Sequence, residues 1–151
     1  MPQASKQRGS YALLLQSDLQ TNIRIGRCGE MRLQQGYYMY AGSALGPGGL
    51  ASRLKHHKAV SRKPHWHIDY LRKHCELVEI WYTYDEQRRE HDWANCLLAL
   101  PHARVAFNGF GASDCQCQTH LVYFSQRPDF RLFRQQLLRH HTGHAAIFSE
   151  P

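Results

Sequence analysis

The sequence predicts an α/β fold, in which a small and mainly antiparallel sheet is flanked by helices. Three observations support this prediction. The chain has 151 residues, the length of one ordinary domain, and 42% of them are hydrophobic, so it can bury a core. Segments in which apolar and polar residues alternate are concentrated before residue 43. Segments with helical spacing follow and are interrupted by one more strand-like run.

Three strand-like segments come first. Residues 9–16 (GSYALLLQ) form an apolar run that ends at a Ser-Asp break. Residues 22–26 (NIRIG) alternate, and residues 31–42 (MRLQQGYYMYAG) alternate and are rich in aromatic side chains. Short turns separate the three segments, which predicts an antiparallel meander. Gly42 is expected to let the backbone turn at the end of the third strand.

Helices and two further strands are predicted downstream. The stretch LGPGG precedes the first helix, and Pro64 suits the first turn of the second. Thr83 and Glu86 resemble a capping box for a third helix, which carries Trp93 and should end before Pro101. The other segments are helices at residues 50–60, 65–74 and 129–141, strands at residues 77–84 and 120–124, and a glycine-containing loop at residues 108–117.

The composition favours a polyanionic partner. The chain has 19 lysines and arginines against 12 aspartates and glutamates, which gives a net charge of +7 with its 11 histidines neutral. The sequence pI is about 9.4, and a compact domain this basic has the electrostatic footprint of a nucleic-acid-binding protein. Charge that serves only solubility is the alternative explanation.

No feature of the sequence indicates secretion or a membrane. The first ten residues (MPQASKQRGS) are polar and lack the apolar region of a signal peptide. No apolar run approaches the roughly 20 residues that a membrane-spanning helix needs. The expected location is therefore cytoplasmic, and the five cysteines, an odd number, are not expected to form a disulfide framework there.

The first predicted helix carries cations on the face that its leucines turn inward. Positions 50, 53, 54 and 57 lie on one face of the helix, and Leu50 and Leu54 mark that face as buried. Arg53 and His57 share it, although an unpaired buried charge is costly. Arg53 therefore indicates a functional site, unless it snorkels at the edge of the apolar stripe.

The third predicted helix shows the same pattern with the opposite charge. Glu90 shares one face with Trp93, Ala94 and Leu97. A glutamate near a helix N-terminus is favourable by about 0.3–1 kcal/mol, so its position also has a purely structural explanation. If Arg53 and Glu90 face one pocket, a guanidinium and a carboxylate there suit metal-assisted phosphoryl transfer.

Tyrosines supply a third element of the candidate site. Tyr38 and Tyr40 lie two residues apart on a predicted strand, so their side chains point to the same side of the sheet. Tyr11, on the first strand, is placed to reach that same face. Buried tyrosine hydroxyls need hydrogen-bond partners, and an ordinary core position would explain any one of the three taken singly.

Taken together, these residues resemble the GIY-YIG nuclease superfamily. Its two tripeptides correspond to Gly9-Ser10-Tyr11 and Tyr40-Ala41-Gly42, its arginine to Arg53 and its metal-binding glutamate to Glu90. The NIRIG strand and its turns set the two tripeptides farther apart than is usual in the superfamily. The strings GYYMYAGSALGPGGLASRLKHH, HWHIDYL and GFGASDCQCQTHLVYF are similar to the signatures of an uncharacterised branch that is sometimes fused to endonuclease III.

The resemblance implies an activity and a domain plan. Residues 1–125 would form the nuclease domain, and residues 126–151 a basic helical extension packed on the same domain. The activity implied is metal-dependent hydrolysis of phosphodiester bonds in nucleic acid, DNA in the first place. Glu90 would bind one Mg²⁺ or Mn²⁺ ion.

The resemblance also implies roles for the other residues. Arg53 would neutralise charge on the pentavalent phosphorus. Tyr11 and Tyr40 would place the attacking water or accept its proton, and His57 would act as a base or contact the phosphate. Asn95 and Asn108 compete for the role of the superfamily's asparagine. The candidates for a supporting role are Tyr38, His67, Asp69 and Asn108.

A basic surface accompanies the first helix and would follow the nucleic-acid backbone. Its members are Lys55, His56, Lys58, Arg62 and Lys63.

The stretch DCQCQTH offers a second kind of site. Cys115, Cys117 and His120 are three residues of types that bind zinc, and Cys96 or another histidine could complete the set. The spacing departs from the common zinc motifs, so a loop with small buried thiols is the favoured interpretation.

Two other functions remain open at the sequence level. The first is a DNA-binding or repair-accessory domain that keeps the fold and has lost cleavage. The second is a zinc-stabilised interaction protein without affinity for DNA.

Overall fold

The computed structural model describes residues 4–111 and 118–151. Over these residues the fold is α/β, which confirms the predicted class. The strands are β1 (Gly9–Ser17), β2 (Thr21–Arg24), β3 (Glu30–Leu33), β4 (Gly36–Ala44), β5 (Glu76–Thr83), β6 (Arg104–Val105), β7 (Leu121–Phe124) and β8 (Ile147–Glu150). The helices are α1 (Gly49–Lys58), α2 (His67–Arg72), α3 (Glu90–Ala99) and α4 (Phe130–His140).

A six-stranded sheet organises the molecule. Its order is β6-β7-β4-β1-β5-β8, and every neighbouring pair is antiparallel. The central strand β1 is buried almost throughout because both faces of the sheet are covered. One face packs Tyr11, Leu13 and Leu15 with the buried residues of α1 and α2. The other packs Ala12 and Leu14 with those of α3 and α4.

The predicted meander is wrong. β1 pairs directly with β4, from Gly9 opposite Ala44 to Ser17 opposite Gly36, while β2 and β3 form a separate two-stranded hairpin between them. The long strands β1 and β4 can both bury side chains on two faces, whereas β2 buries only Ile23. The predicted strand at residues 31–42 is accordingly two strands, separated by Gln34 and Gln35.

The predicted start of the third helix is also wrong. Thr83 is the last residue of β5, and its hydroxyl donates to the carbonyl of Ala146 instead of capping a helix. α3 begins at Glu90 and ends at Ala99, before Pro101 as predicted. Its start therefore places Glu90 in the first turn, where the free backbone N–H groups favour a carboxylate.

The structure adds two short strands that the sequence did not predict. β6 and β8 lie at the two edges of the sheet, and β8 pairs with β5. No helix in the described part of the chain is both long enough and apolar enough to cross a membrane.

Candidate active site

A cleft of about 510 Å³ lies beside the end of β4, between α1 and the start of α3. Four of the residues predicted for the site line it: Tyr40, Arg53, His67 and Glu90. Ser43, Trp66 and Arg88 also line it, and the sequence did not predict them. The cleft is open to solvent and presents both a carboxylate and guanidinium groups.

Ser43 joins the two oppositely charged residues of the cleft. Its hydroxyl donates to Glu90 Oε1 over 2.7 Å, and its carbonyl accepts from Arg53 Nη1 over 2.9 Å. The guanidinium carbon of Arg53 lies 4.3 Å from the centroid of the Trp66 ring, within range of a cation–π interaction. The inward arginine of α1 and the inward glutamate of α3 therefore reach the same cleft from opposite faces of the sheet.

Glu90 is nearly buried, at 6% exposure, and is held as a carboxylate. Burial would raise its pKa, but hydrogen bonds from His120, Ser43 and Arg88 lower the pKa to about 2. His120 Nδ1 lies 3.1 Å from Glu90 Oε2, and the ring of His120 is fully buried. Glu90 thus carries a negative charge at all pH values at which the protein is expected to work.

Arg88 is the cation closest to that charge. Its Nε and Nη2 atoms donate to Glu90 Oε1 over 2.9 and 2.7 Å. The side chain of Arg88 is nevertheless 41% exposed, because it reaches the carboxylate from the loop before α3. In the sequence, only its position two residues before Glu90 could have pointed to Arg88. Arg88 belongs to no helical or strand pattern.

Behind the cleft, Tyr11 and His57 form a hydrogen-bonded pair. Tyr11 Oη and His57 Nε2 lie 2.7 Å apart, and each residue is only 1% exposed. Neither residue lines the cleft, where Tyr40 is the tyrosine present. His57 Nδ1 has no hydrogen-bond partner among the described residues.

Burial keeps this group of rings neutral. It raises the pKa of Tyr11, which nearby Arg53 offsets only in part, and it raises the pKa of Tyr40 well above its usual value. Burial also lowers the pKa of His57 to about 3. At neutral pH both tyrosines therefore keep their protons and His57 is uncharged.

Gly42 makes room for Tyr11. The two residues are partners across β1 and β4, and a Cβ atom at position 42 would lie 2.6 Å from the Tyr11 hydroxyl oxygen. Gly42 lies inside β4, so the prediction that it permits a turn is wrong. The glycine is needed because the Tyr11 ring lies over its backbone.

Asp69 supports the site from α2. Its Oδ2 accepts from the backbone N–H groups of His65 and Trp66, and its Oδ1 lies 2.9 Å from His56 Nε2. His56, His57 and Asp69 offer ligand atoms that all lie within 4.8 Å of one another. Asp69 fixes the start of α2 and the orientation of His56.

These residues fall into two sets that we name for their positions. The cleft layer comprises Tyr40, Ser43, Arg53, Arg88 and Glu90. The buried layer comprises Tyr11, His57 and Asp69, with His56 at its edge.

The predicted basic surface lies beside the cleft and does not line it. Lys55, Arg62 and Lys63 are exposed on α1 and the loop that follows. His56 is half-buried against Asp69, and Lys58 Nζ lies 3.2 Å from the buried Glu150 carboxylate. Part of this surface charge is therefore already paired.

Some candidates lie apart from the cleft. The Tyr38 hydroxyl accepts from the backbone N–H of Gln34 over 2.8 Å and holds the turn between β3 and β4. Asn108 is exposed and contacts Gln118, and Asn95 lies on the outer side of α3. His67, by contrast, lines the cleft and accepts from the backbone N–H of Gly111 over 3.0 Å.

The Cys/His loop, for which the sequence favoured small buried thiols over a zinc site, falls largely outside the described residues. Cys115 and Cys117 belong to the segment 112–117, which is not described. The third residue of that set, His120, lies beside Glu90. Cys28, Cys75 and Cys96, the cysteines of the described residues, are free thiols.

Comparison with known proteins gives one match. A family profile described as a domain of unknown function, DUF123, matches residues 10–142. No curated protein and no solved structure matches the chain. The matched region contains every residue of the cleft layer and of the buried layer.

Proposed function

The chain belongs to the DUF123 family, and we propose that it is a metal-dependent endonuclease that hydrolyses phosphodiester bonds in nucleic acid, with DNA as the first substrate to test. The observation that carries the proposal is the meeting of Arg53 and Glu90 across Ser43 in an open cleft. A guanidinium beside an ionised carboxylate suits metal-assisted phosphoryl transfer, with one group for the phosphate and one for a cation.

The residues present fit a divalent cation at Glu90. The carboxylate is ionised, opens on the cleft and already holds a cationic group, the guanidinium of Arg88. One carboxylate completed by waters and substrate phosphates is a usual Mg²⁺ site. Bound there, Mg²⁺ or Mn²⁺ would supply charge stabilisation for the phosphate oxygens in the transition state.

Arg53 would hold the phosphodiester. Its Nη1 donates to the Ser43 carbonyl, and a guanidinium has five N–H donors in a rigid fork, so further donors can serve a ligand in the cleft. Stacking on Trp66 restricts the rotation of the group. Such fixed donors stabilise the extra negative charge that the phosphoryl oxygens gain in the transition state.

The tyrosines divide between two positions. Tyr40 lines the cleft and keeps its proton at neutral pH, so it would donate a hydrogen bond to the water or to a phosphate oxygen. Tyr11 lies behind Tyr40, with the two ring centroids 6.5 Å apart, and is hydrogen-bonded to His57. Tyr11 and His57 would therefore act by fixing the ring of Tyr40 and the helix that carries Arg53.

One assay tests the activity. The protein is incubated with single-stranded, duplex and branched DNA, and with RNA, in the presence of Mg²⁺ or Mn²⁺ and in parallel with EDTA. Cleavage that EDTA abolishes is the expected result. Absence of cleavage from every substrate with either metal would contradict the proposal.

A DNA-binding domain without catalysis is the second candidate, and the Arg88–Glu90 pair favours it. While Arg88 stays paired with Glu90, it occupies Oε1 and already neutralises the charge that would attract a metal ion. This domain would bind DNA and cleave none of the substrates.

Both candidates require binding that depends on salt, which we predict from the net charge of +7 and from Lys55, Arg62 and Lys63. Each phosphate neutralised adds about −0.9 to the slope of log affinity against log salt on duplex DNA. Replacing these three residues with glutamine should make the slope less negative by about that amount for each phosphate that is no longer neutralised. A wild-type slope near zero would contradict both candidates.

A further inference from the structure

Arg88 is the charged residue of the cleft layer to which the proposed chemistry assigns no role. We propose that Arg88 couples the binding of a phosphodiester to the binding of a divalent cation. In the free protein it pairs with Glu90; when a phosphodiester enters the cleft it transfers to the phosphate and leaves the carboxylate to the cation. The inference rests on the proposed function for the identity of the two ligands.

The first step concerns the capacity of the Glu90 carboxylate. Oε1 accepts from Ser43 Oγ and from two nitrogens of Arg88, and Oε2 lies 3.1 Å from His120 Nδ1. A carboxylate has about four lone-pair sites, so these contacts occupy most of them. Three of the four contacts fall on Oε1, so a cation can use that oxygen only if one of its partners withdraws.

The second step identifies the partner that withdraws. Ser43 is fixed within β4, between Gly42 and Ala44, and His120 is fully buried. Arg88 is 41% exposed, and it lies in the segment between β5 and α3 outside any helix or strand. The Arg88 side chain is therefore attached to no strand or helix of the core, whereas Ser43 is part of the sheet and His120 is enclosed by the core.

The third step concerns where Arg88 goes. It lines the same cleft as Arg53, so a phosphodiester held by Arg53 lies within the space that Arg88 also borders. The planar guanidinium fork matches a phosphate as well as it matches a carboxylate. Transfer to the phosphate therefore exchanges one charge-assisted pair for another.

The exchange makes the two ligands cooperative. Nucleic acid draws Arg88 away from Glu90 and raises the affinity for the cation, and by linkage the cation raises the affinity for nucleic acid to the same extent. Some positive coupling also follows from charge alone, since a cation at Glu90 offsets a negative charge near the phosphate. The part of the coupling that depends on Arg88 is what a variant can isolate.

The experiment measures Mn²⁺ binding by isothermal titration calorimetry, with and without a duplex oligonucleotide whose integrity is checked by electrophoresis afterwards. Without nucleic acid, Arg88→Ala should bind Mn²⁺ at least about fivefold more tightly than the wild type, the low end of typical coupling. Adding the duplex should then tighten Mn²⁺ binding less in the variant than in the wild type. Arg88→Lys keeps the charge but lacks the guanidinium fork, so its Mn²⁺ affinity should lie between those of the wild type and Arg88→Ala.

Arg127→Ala is the matched control. Arg127 Nη2 lies 2.6 Å from Glu79 Oε2 and its side chain is 52% exposed, so this variant removes the same charge from a similar pair outside the cleft. Glu90→Gln should abolish Mn²⁺ binding in the wild type and in each arginine variant. This result would assign the measured heat of binding to the site at Glu90. A thermal melt establishes that each variant is folded. If Arg88→Ala does not fold, the comparison is made with Arg88→Lys.

Two results obtained without the duplex would overturn the proposal. One is a Mn²⁺ affinity for Arg88→Ala that equals that of Arg127→Ala. The other is the absence of Mn²⁺ binding at Glu90 even after Arg88 is removed. If Arg88→Ala gains Mn²⁺ affinity and the duplex tightens its Mn²⁺ binding less than that of the wild type, but no variant or wild type cleaves nucleic acid, the coupling stands and the endonuclease proposal fails. A duplex effect of equal size in Arg88→Ala and the wild type would also overturn the coupling.

Discussion

The cleft layer and the buried layer of the site each contain a tyrosine and a carboxylate, but they differ in how their side chains are held. Arg53, Arg88 and Glu90 are charged, and each contacts a partner that a ligand could replace. Tyr11 and His57 are neutral, fully enclosed and bound to each other. The difference separates two kinds of contribution. Groups in the cleft layer can act on a substrate, while groups in the buried layer can act only through the geometry of the cleft layer.

Substitution of Glu90 should have the largest effect. Glu90→Ala removes the one cleft carboxylate of the described residues and with it charge stabilisation of several kcal/mol, so cleavage should fall about a thousandfold or more. Binding of DNA should hold or improve, because a negative charge beside the phosphate is removed. Rates and affinities are measured side by side, with exposed Glu86→Ala as the control. Cleavage by Glu90→Ala at the wild-type rate would refute the site.

Substitution of Arg53 should come next. Arg53→Ala should lower the cleavage rate by about a hundredfold, the usual cost of losing one transition-state donor, and should weaken binding as well. In the proposed mechanism Arg53 would contact the phosphate both before and during the reaction, so its loss should affect both quantities, unlike the loss of Glu90. Lys55→Ala removes the same charge two residues away on the exposed side of α1 and should affect binding alone. Equal effects of the two variants on the rate would mean that Arg53 acts only through its charge.

The two tyrosines give the direct test of the layers. Tyr40→Phe should lower the cleavage rate by about tenfold or more with little loss of stability, because its hydroxyl serves the cleft. Tyr11→Phe leaves buried His57 Nε2 without a partner and should cost about 1–3 kcal/mol of unfolding free energy. Its cleavage rate, measured where the protein is fully folded, should fall less than that of Tyr40→Phe. The reverse order would place Tyr11 in the chemistry.

The smallest effect at neutral pH is expected from the titration of these groups, because it appears only as a loss of stability in acid, where it separates the two layers. The pKa of His57 falls from 6.5 to about 3 on folding, so the folded protein binds fewer protons than the unfolded chain in that window, and stability declines as the pH drops through it. The pKa of Glu90 falls from 4.5 to about 2, so its contribution is present above 4.5 and is lost only below it.

Urea unfolding at a series of pH values measures both contributions. His57→Gln should remove the part of the decline that begins near pH 6.5, and Glu90→Gln only the part below about pH 4.5. Identical pH profiles for wild type and His57→Gln would show that His57 is not held neutral by burial.

The sequence identified the site residues that stand out against the regular spacing of buried residues in a helix or strand. Arg53 and Glu90 stand out because each interrupts the apolar stripe of a helix, and Tyr40 because it lies two residues from Tyr38 on the same strand. Arg88 lies on a loop and Ser43 acts partly through its backbone carbonyl, so no periodic pattern marks either of them.

The sequence predicted which segments are strands better than it predicted which strands pair with each other. β1 and β4 are neighbours in the sheet although a complete hairpin separates them in the chain, and local spacing favours the nearest strand as a partner. β8 is only four residues long and carries no alternation strong enough to distinguish it from a loop. Long-range pairing is decided by which strands can bury both faces, and that is a property of the assembled core.

The hairpin of β2 and β3 has a consequence for the order in which the protein folds. Ser17 and Gly36 are partners across β1 and β4, and the hairpin occupies the chain between them. An isolated hairpin forms in about 1–10 μs, so it can bring the two long strands together before the rest of the chain condenses. The contact between Ser43 and Glu90 spans 47 positions and depends on the later docking of α3. The pairing of β1 with β4 is therefore expected to form early and the cleft later, so that a slow-folding variant would gain these two strands before it gains the contact between Ser43 and Glu90.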